Sequence, residues 1–234
     1  MRYNLIRNYK LKGDYMKEIN KKYFRGFAGI LILIGMVLSF TLQMMSNDID
    51  GYFGRVLGFF SYFTEFANIL VMLWFLNNSI LNRKIKWLNK RSIKGAITLY
   101  ICVAGLVFFL ILNAEWKQTG IEKFQTYILH GFAPLAILFD WLILEKESNY
   151  EYKDILSWVV FPIVYLFWAL AVGNVIGVYP YSFLDMNVLN LEGLVVNVFF
   201  LVIAFLMLST AIVFIDKFRF KSKKATEINN ISFR

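Results

Sequence analysis

The chain is 234 residues long, 59% hydrophobic, 18% aromatic and 18% charged, with a formal net charge of +9. Soluble domains run nearer ~45–50% apolar, so this composition excludes a fold solvated by water on all sides. The basic excess is divided among tails and loops in a way that reads as membrane topology, and no nucleic-acid partner is expected.

In chain order, residues 1–26 are polar and basic and read as a tail. Six apolar runs of roughly 20 residues follow, at 27–45, 53–76, 95–112, 125–144, 155–178 and 193–215, each long enough to cross a bilayer as a helix. Residues 217–234 form a second basic tail. The expected fold class is all-α, an integral membrane bundle of six transmembrane helices occupying residues 27–216. The first run begins only after about 25 residues and no small-residue cleavage site follows it, so it reads as a span and not a secretory signal.

The second run is the most polar. Counted along one continuous helix, Gly54, Gly58, Ser61, Thr64, Glu65 and Asn68 fall within an arc of about 120°. Such a face looks into the bundle, with glycines for close approach and the polar side chains for hydrogen bonds. Ser61 alone reads as interhelical glue. Glu65 is ionisable in hydrocarbon and must be paired, protonated or part of a site.

The third run holds the one cysteine, Cys102, which excludes an intrachain disulfide and a Cys-rich metal site. The fourth holds the one histidine, His130. Pro134 lacks an N–H and its ring collides with the carbonyl four residues back, so the helix should kink or open at His130. Irregular backbone at that depth is tolerated where it lines a cavity. Asp140 is expected to pair with a basic loop or cap a neighbouring helix, and Asn174 and Asn197 read as interhelical glue. After the fifth run, Tyr179-Pro-Tyr-Ser-Phe-Leu-Asp185 reads as an interfacial anchor or a lid, with Tyr179 and Tyr181 as candidate substrate contacts.

Of the 25 Lys and Arg, 22 lie in the two tails and in the loops at 77–94 and 145–154; the other loops hold only Arg55, Lys117 and Lys123. Positive loops stay inside, so both termini are expected in the cytoplasm, held near anionic membrane lipids. Thr64 then lies roughly 14 Å and His130 roughly 10 Å below the outer surface, at 1.5 Å per residue. A hydroxyl and an imidazole on inward faces at similar depth meet the minimum for a base-activated nucleophile.

With a single His and a single Cys, HExxH, di-iron and CxxC chemistry are excluded, and there is no P-loop. No metal and no cofactor are expected, and the catalysis that survives is acid–base or nucleophilic work at His130. The rival reading is a non-catalytic transporter or lipid-binding membrane protein using Glu65, His130 and Asp140 along a proton or solute path. A third is a structural or partner-binding subunit.

Phe59-Phe-Ser-Tyr-Phe-Thr-Glu-Phe-Ala-Asn-Ile-Leu-Val71 resembles the second-span signature of the androgen-induced membrane protein family. Leu129-His-Gly-Phe-Ala-Pro-Leu-Ala-Ile-Leu-Phe-Asp-Trp141 resembles that family's histidine-bearing span, and residues 158–165 with Pro162 and the motif Tyr179-Pro180-Tyr181 continue the match in order. Bacterial members are short multi-span proteins, so the resemblance implies a bacterial cell membrane. Animal members are threonine hydrolases that cleave fatty acid esters of hydroxy fatty acids with a Thr and a His, which match Thr64 and His130 here. The resemblance thus implies a lipid ester substrate; Ser61, Glu65, Asn68, Pro134, Tyr179 and Tyr181 are the candidates from this sequence for binding or orienting it. Glu65-Phe66-Ala67 stands where a more neutral stretch is usual, and Ser182 where a second proline is usual.

Overall fold

The computed structural model describes residues 2–114, 118–145 and 150–232, with side chains over 16–113, 118–145 and 150–219. Lys117, Lys146 and most of the tail side chains in the charge count lie outside the described residues. The architecture is an all-α bundle, with no strand among the described residues. α1 (Arg2–Met45) joins the expected tail and first span in one helix. The second apolar run becomes α2 (Tyr52–Phe59) and α3 (Phe63–Asn77), and the third is α4 (Arg91–Leu110). The fourth combines α5 (Gly120–Thr126) and α6 (Ala133–Phe139) with π-helical turns at Tyr127–Phe132 and Asp140–Leu144. α7 (Asp154–Ile176) and α8 (Leu191–Ser232) complete the chain.

Met16–Met45, Arg91–Leu110, Gly120–Leu144, Asp154–Ile176 and Leu191–Arg219 are each long and apolar enough to cross a membrane, and the α2–α3 pair supplies a sixth span. α4 is the central helix, packed by α3, α6 and α8. α7 and α8 turn Val160, Val164, Phe167, Phe199, Phe200 and Met207 outward. Backbone polar groups are satisfied within the helices, so lipid can solvate those apolar faces without loss.

The second span departs from the straight helix expected over 53–76. α2 and α3 meet at 68°, and tertiary donors and an acceptor hold the break open. The Phe60 carbonyl accepts from Trp168 Nε1 and the Ser61 carbonyl from the Tyr165 hydroxyl, both at 2.7 Å from α7, while the Phe63 N–H donates to the Tyr181 hydroxyl at 3.0 Å. Ser61 turns its own hydroxyl back to the Gly58 carbonyl at 2.7 Å. Groups that a break would orphan in hydrocarbon are thereby bonded. The helical phase does not carry across, so the single polar arc of the sequence reading is corrected: Gly54 and Gly58 face Ile49, from the segment before α2.

The fourth span opens at His130, in the form of a wider π turn. Pro134 cannot donate to the His130 carbonyl, and α4 approaches that spot at Gly105. A Cβ there would come within 2.9 Å of both the His130 carbonyl oxygen and Pro134 Cγ.

The opposite end of the bundle is tied by charge. Arg25 donates to Asp140 at 2.7 and 3.1 Å, and Lys94 reaches Asp140 and Glu145 at 2.7 Å each. The Trp74 ring lies beneath both cations, 5.1 Å from the Arg25 guanidinium carbon and 4.4 Å from the Lys94 ammonium. Two cations and two carboxylates balance, which is what makes a fully buried Asp140 tolerable. Asp140 is paired as expected with the basic 77–94 segment, through Lys94 in the first turn of α4, and also with Arg25 of α1. Asn174 is exposed and bridges no helices among the described residues, whereas Asn197 donates to the Phe183 carbonyl at 3.0 Å.

Candidate active site

The break between α2 and α3 sets the N-terminus of α3 inside the bundle. Its second residue is Thr64 and its third Glu65, so a hydroxyl and a carboxylate occupy the first turn, where backbone N–H groups and the helix dipole favour negative charge. Thr64 and Glu65 are 5% and 6% exposed.

Thr64 stands where two cavities meet. One, of about 300 Å³, is polar and lined by Ser39, Gln43, Asp48, Glu65, Gln125 and His130 among others. The second, of about 140 Å³, is walled by apolar side chains including Val103, Pro162, Leu166, Val202 and Phe205. Thr64, Leu112 and Tyr181 belong to both walls.

His130 reaches the polar cavity from the π turn. Its Nδ1 lies 3.3 Å from the Thr126 carbonyl oxygen. A carbonyl can only accept, so Nδ1 carries the proton and Nε2 keeps its lone pair. The Phe108 ring lies 4.2 Å from the imidazole centroid and braces it. Thr64 and His130 face the same cavity, with no direct hydrogen bond between them among the described residues. Acid–base pairs in empty enzymes often stand apart and tighten only around substrate.

Asn68, one turn beyond Thr64, donates to the Thr64 carbonyl at 3.0 Å and the Leu129 carbonyl at 3.3 Å. It fastens the Thr64 turn to the residue preceding His130, and its N–H donors are spent there. It is absent from both cavity walls.

The other site candidates divide in the same way. Tyr181 lines both cavities, and its buried hydroxyl sits at the Phe63 and Thr64 end of α3. Burial raises its phenol above the ordinary value, and hydrogen bonds from the Thr64 side chain and the first-turn amides pull the other way. Tyr179 packs on Gly173, Ser61 bonds within the break, and Pro134 packs on Gly105; these shape the walls without lining them. Glu65 accepts from Ser39 Oγ at 2.7 Å through Oε1, and its Oε2 has no partner.

Ser39, Gln43, Gln125 and Thr126, all on the polar wall, are additions to the residues singled out from sequence. Each is a polar residue inside an apolar run, the same signal that marks Glu65. No family model, curated protein or solved structure matches this chain.

Proposed function

We propose that the protein is an intramembrane lipid ester hydrolase with Thr64 as nucleophile and His130 as base, the roles that the resemblance to the androgen-induced membrane protein family implies for this pair. The observation that carries the reading is the position of Thr64 at the junction of a polar and an apolar cavity, with His130 on the polar wall. The acyl chain lies in the apolar arm and the ester carbonyl at Thr64. With substrate bound the Thr64 hydroxyl turns from Tyr181 to His130, whose Nε2 takes the proton as Oγ1 attacks the carbonyl carbon and then returns it to the leaving alcohol. The oxyanion forms beside the N-terminus of α3, where Tyr181 donates a hydrogen bond to it and keeps its proton, its hydroxyl polarised by the first-turn amides. Water from the polar arm, activated by His130, then hydrolyses the acyl-threonine. No cofactor takes part. Both termini face the cytoplasm of a bacterial cell in this reading, so the polar arm opens outward.

The transporter reading is disfavoured because Asp140 is locked by Arg25 and Lys94 and does not line the cavity that holds Glu65 and His130. The decisive experiment is labelling with an alkyl fluorophosphonate. Modification of Thr64, prevented by His130→Ala and by a competing lauroyl ester, is the expected result; absence of labelling together with absence of hydrolysis across a panel of acyl esters overturns the proposal.

A further inference from the structure

The polar arm has a charge pattern that says which alcohol an ester should carry. Asp48 and Glu122 are exposed at its mouth, and Glu65 is buried beside Thr64. Gln43, Gln118 and Gln125 add hydrogen-bonding groups without charge, and no Lys or Arg is among the described lining residues. Arg55 and Lys123 stand outside that lining: Arg55 donates to the Ile49 and Met44 carbonyls at 3.1 and 2.8 Å, and the Lys123 ammonium lies 5.9 Å from the Tyr127 ring centroid.

A second, independent observation points to a ligand. Glu65 is 94% buried by its 6% exposure, lines the cavity, and uses only Oε1, on Ser39; Oε2 meets no donor. A carboxylate oxygen held at depth without a partner is incomplete. Carboxylates running from mouth to depth also draw cations inward and repel anions.

We propose that the polar arm binds an ammonium-bearing alcohol portion, so that the preferred substrate is a fatty acyl ester of a cationic amino alcohol. This rests on the hydrolase reading above. The ammonium charge sits against Glu65 Oε2 and offsets the buried carboxylate, with or without an N–H to donate, while the acyl chain fills the apolar arm and the ester bond between them lies at Thr64. An alcohol portion ending in a carboxylate meets three like charges and, among the described lining residues, no cation, so esters of hydroxy fatty acids are poor substrates for this chain.

The test uses the full chain in phosphatidylcholine nanodiscs and three lauroyl esters differing only in the alcohol: lauroylcholine, 1-lauroylglycerol and the lauroyl ester of 12-hydroxydodecanoate. Expected values of kcat/KM fall in that order, with lauroylcholine ahead of the carboxylate ester by at least ~10-fold at low salt and by less at high salt. Glu65→Gln narrows the ratio at least ~5-fold, and Glu122→Gln, at the exposed mouth, narrows it less. Equal rates for the two charged esters, or a ratio unchanged in both variants, overturn the inference while leaving the hydrolase reading intact. In parallel, binding of dodecyltrimethylammonium and dodecanoate is measured against empty nanodiscs. Preference for the ammonium that falls in Glu65→Gln, without hydrolysis of any ester, overturns the hydrolase reading and retains the cation site. Neither hydrolysis nor selective binding overturns both.

Discussion

In the proposed reaction Thr64 and His130 carry the chemistry and Asn68 positions them, and substitution at the residue scale separates the two roles. Thr64→Ala and His130→Ala should each lower ester hydrolysis by at least ~10²-fold while the protein elutes as folded material, and Thr64→Ser should retain activity because the hydroxyl remains. Rates are read with a lauroyl ester, with size-exclusion profiles as the control. Asn68→Ala removes the donor shared by the Thr64 and Leu129 carbonyls. It should lower kcat about 10-fold with little change in KM, since the substrate keeps its contacts but the nucleophile's turn loses its tie to the His130 turn. The polarity of all three in an apolar run is legible in sequence. That Asn68 orients the site by bonding two carbonyls is not, because its partners come from two helices.

Two irregular elements create the site, and they differ in how far they can be read from sequence. Pro134 four residues after His130 announces an opened turn, since the missing N–H is a covalent property of the chain. The Gly105 contact makes that turn testable: Gly105→Val puts branched carbon against the His130 carbonyl and Pro134. Destabilisation of about 1–3 kcal/mol is expected, visible as a lower Tm in detergent, together with loss of activity from a displaced imidazole. The α2–α3 break carries no proline or glycine between Phe60 and Tyr62. It exists because Trp168, Tyr165 and Tyr181 supply its hydrogen bonds from elsewhere. Tyr165→Phe should cost about 1–3 kcal/mol by leaving the Ser61 carbonyl unpaired, and the double variant with Trp168→Phe should cost more and lower hydrolysis, as measured by thermal unfolding and lauroyl ester turnover.

At the scale of the whole molecule, the two ends of the bundle serve different purposes. One end holds the cavities. The other is closed by the Arg25, Lys94, Asp140 and Glu145 cluster around Trp74. Asp140→Ala leaves the buried Lys94 and the half-buried Arg25 with a single remaining carboxylate, and a loss of about 3–5 kcal/mol in stability is expected, read as a lower Tm. Activity per folded molecule should be little changed, because Asp140 is on neither cavity wall. Orientation is tested with reporters: fusions at either terminus should be active only for a cytoplasmic reporter, and a cysteine placed at Asn187 should react with an impermeant thiol reagent added outside.

The amino-acid sequence by itself determined the solvent, the number of apolar runs and the identity of the polar residues within them. Each of these follows from composition and from spacing along one chain: about 20 apolar residues span hydrocarbon whatever surrounds them. The tertiary structure alone decided where the second span breaks and that Ser39 and Gln43 of α1 join Glu65 and His130 on one wall. It alone decided that the apolar arm meets the polar one at Thr64. Those outcomes depend on contacts between residues far apart in sequence, such as Tyr165 with Ser61 and Tyr181 with Phe63. In lipid an exposed backbone group is so unfavourable that such side-chain partners determine whether a helix continues or stops.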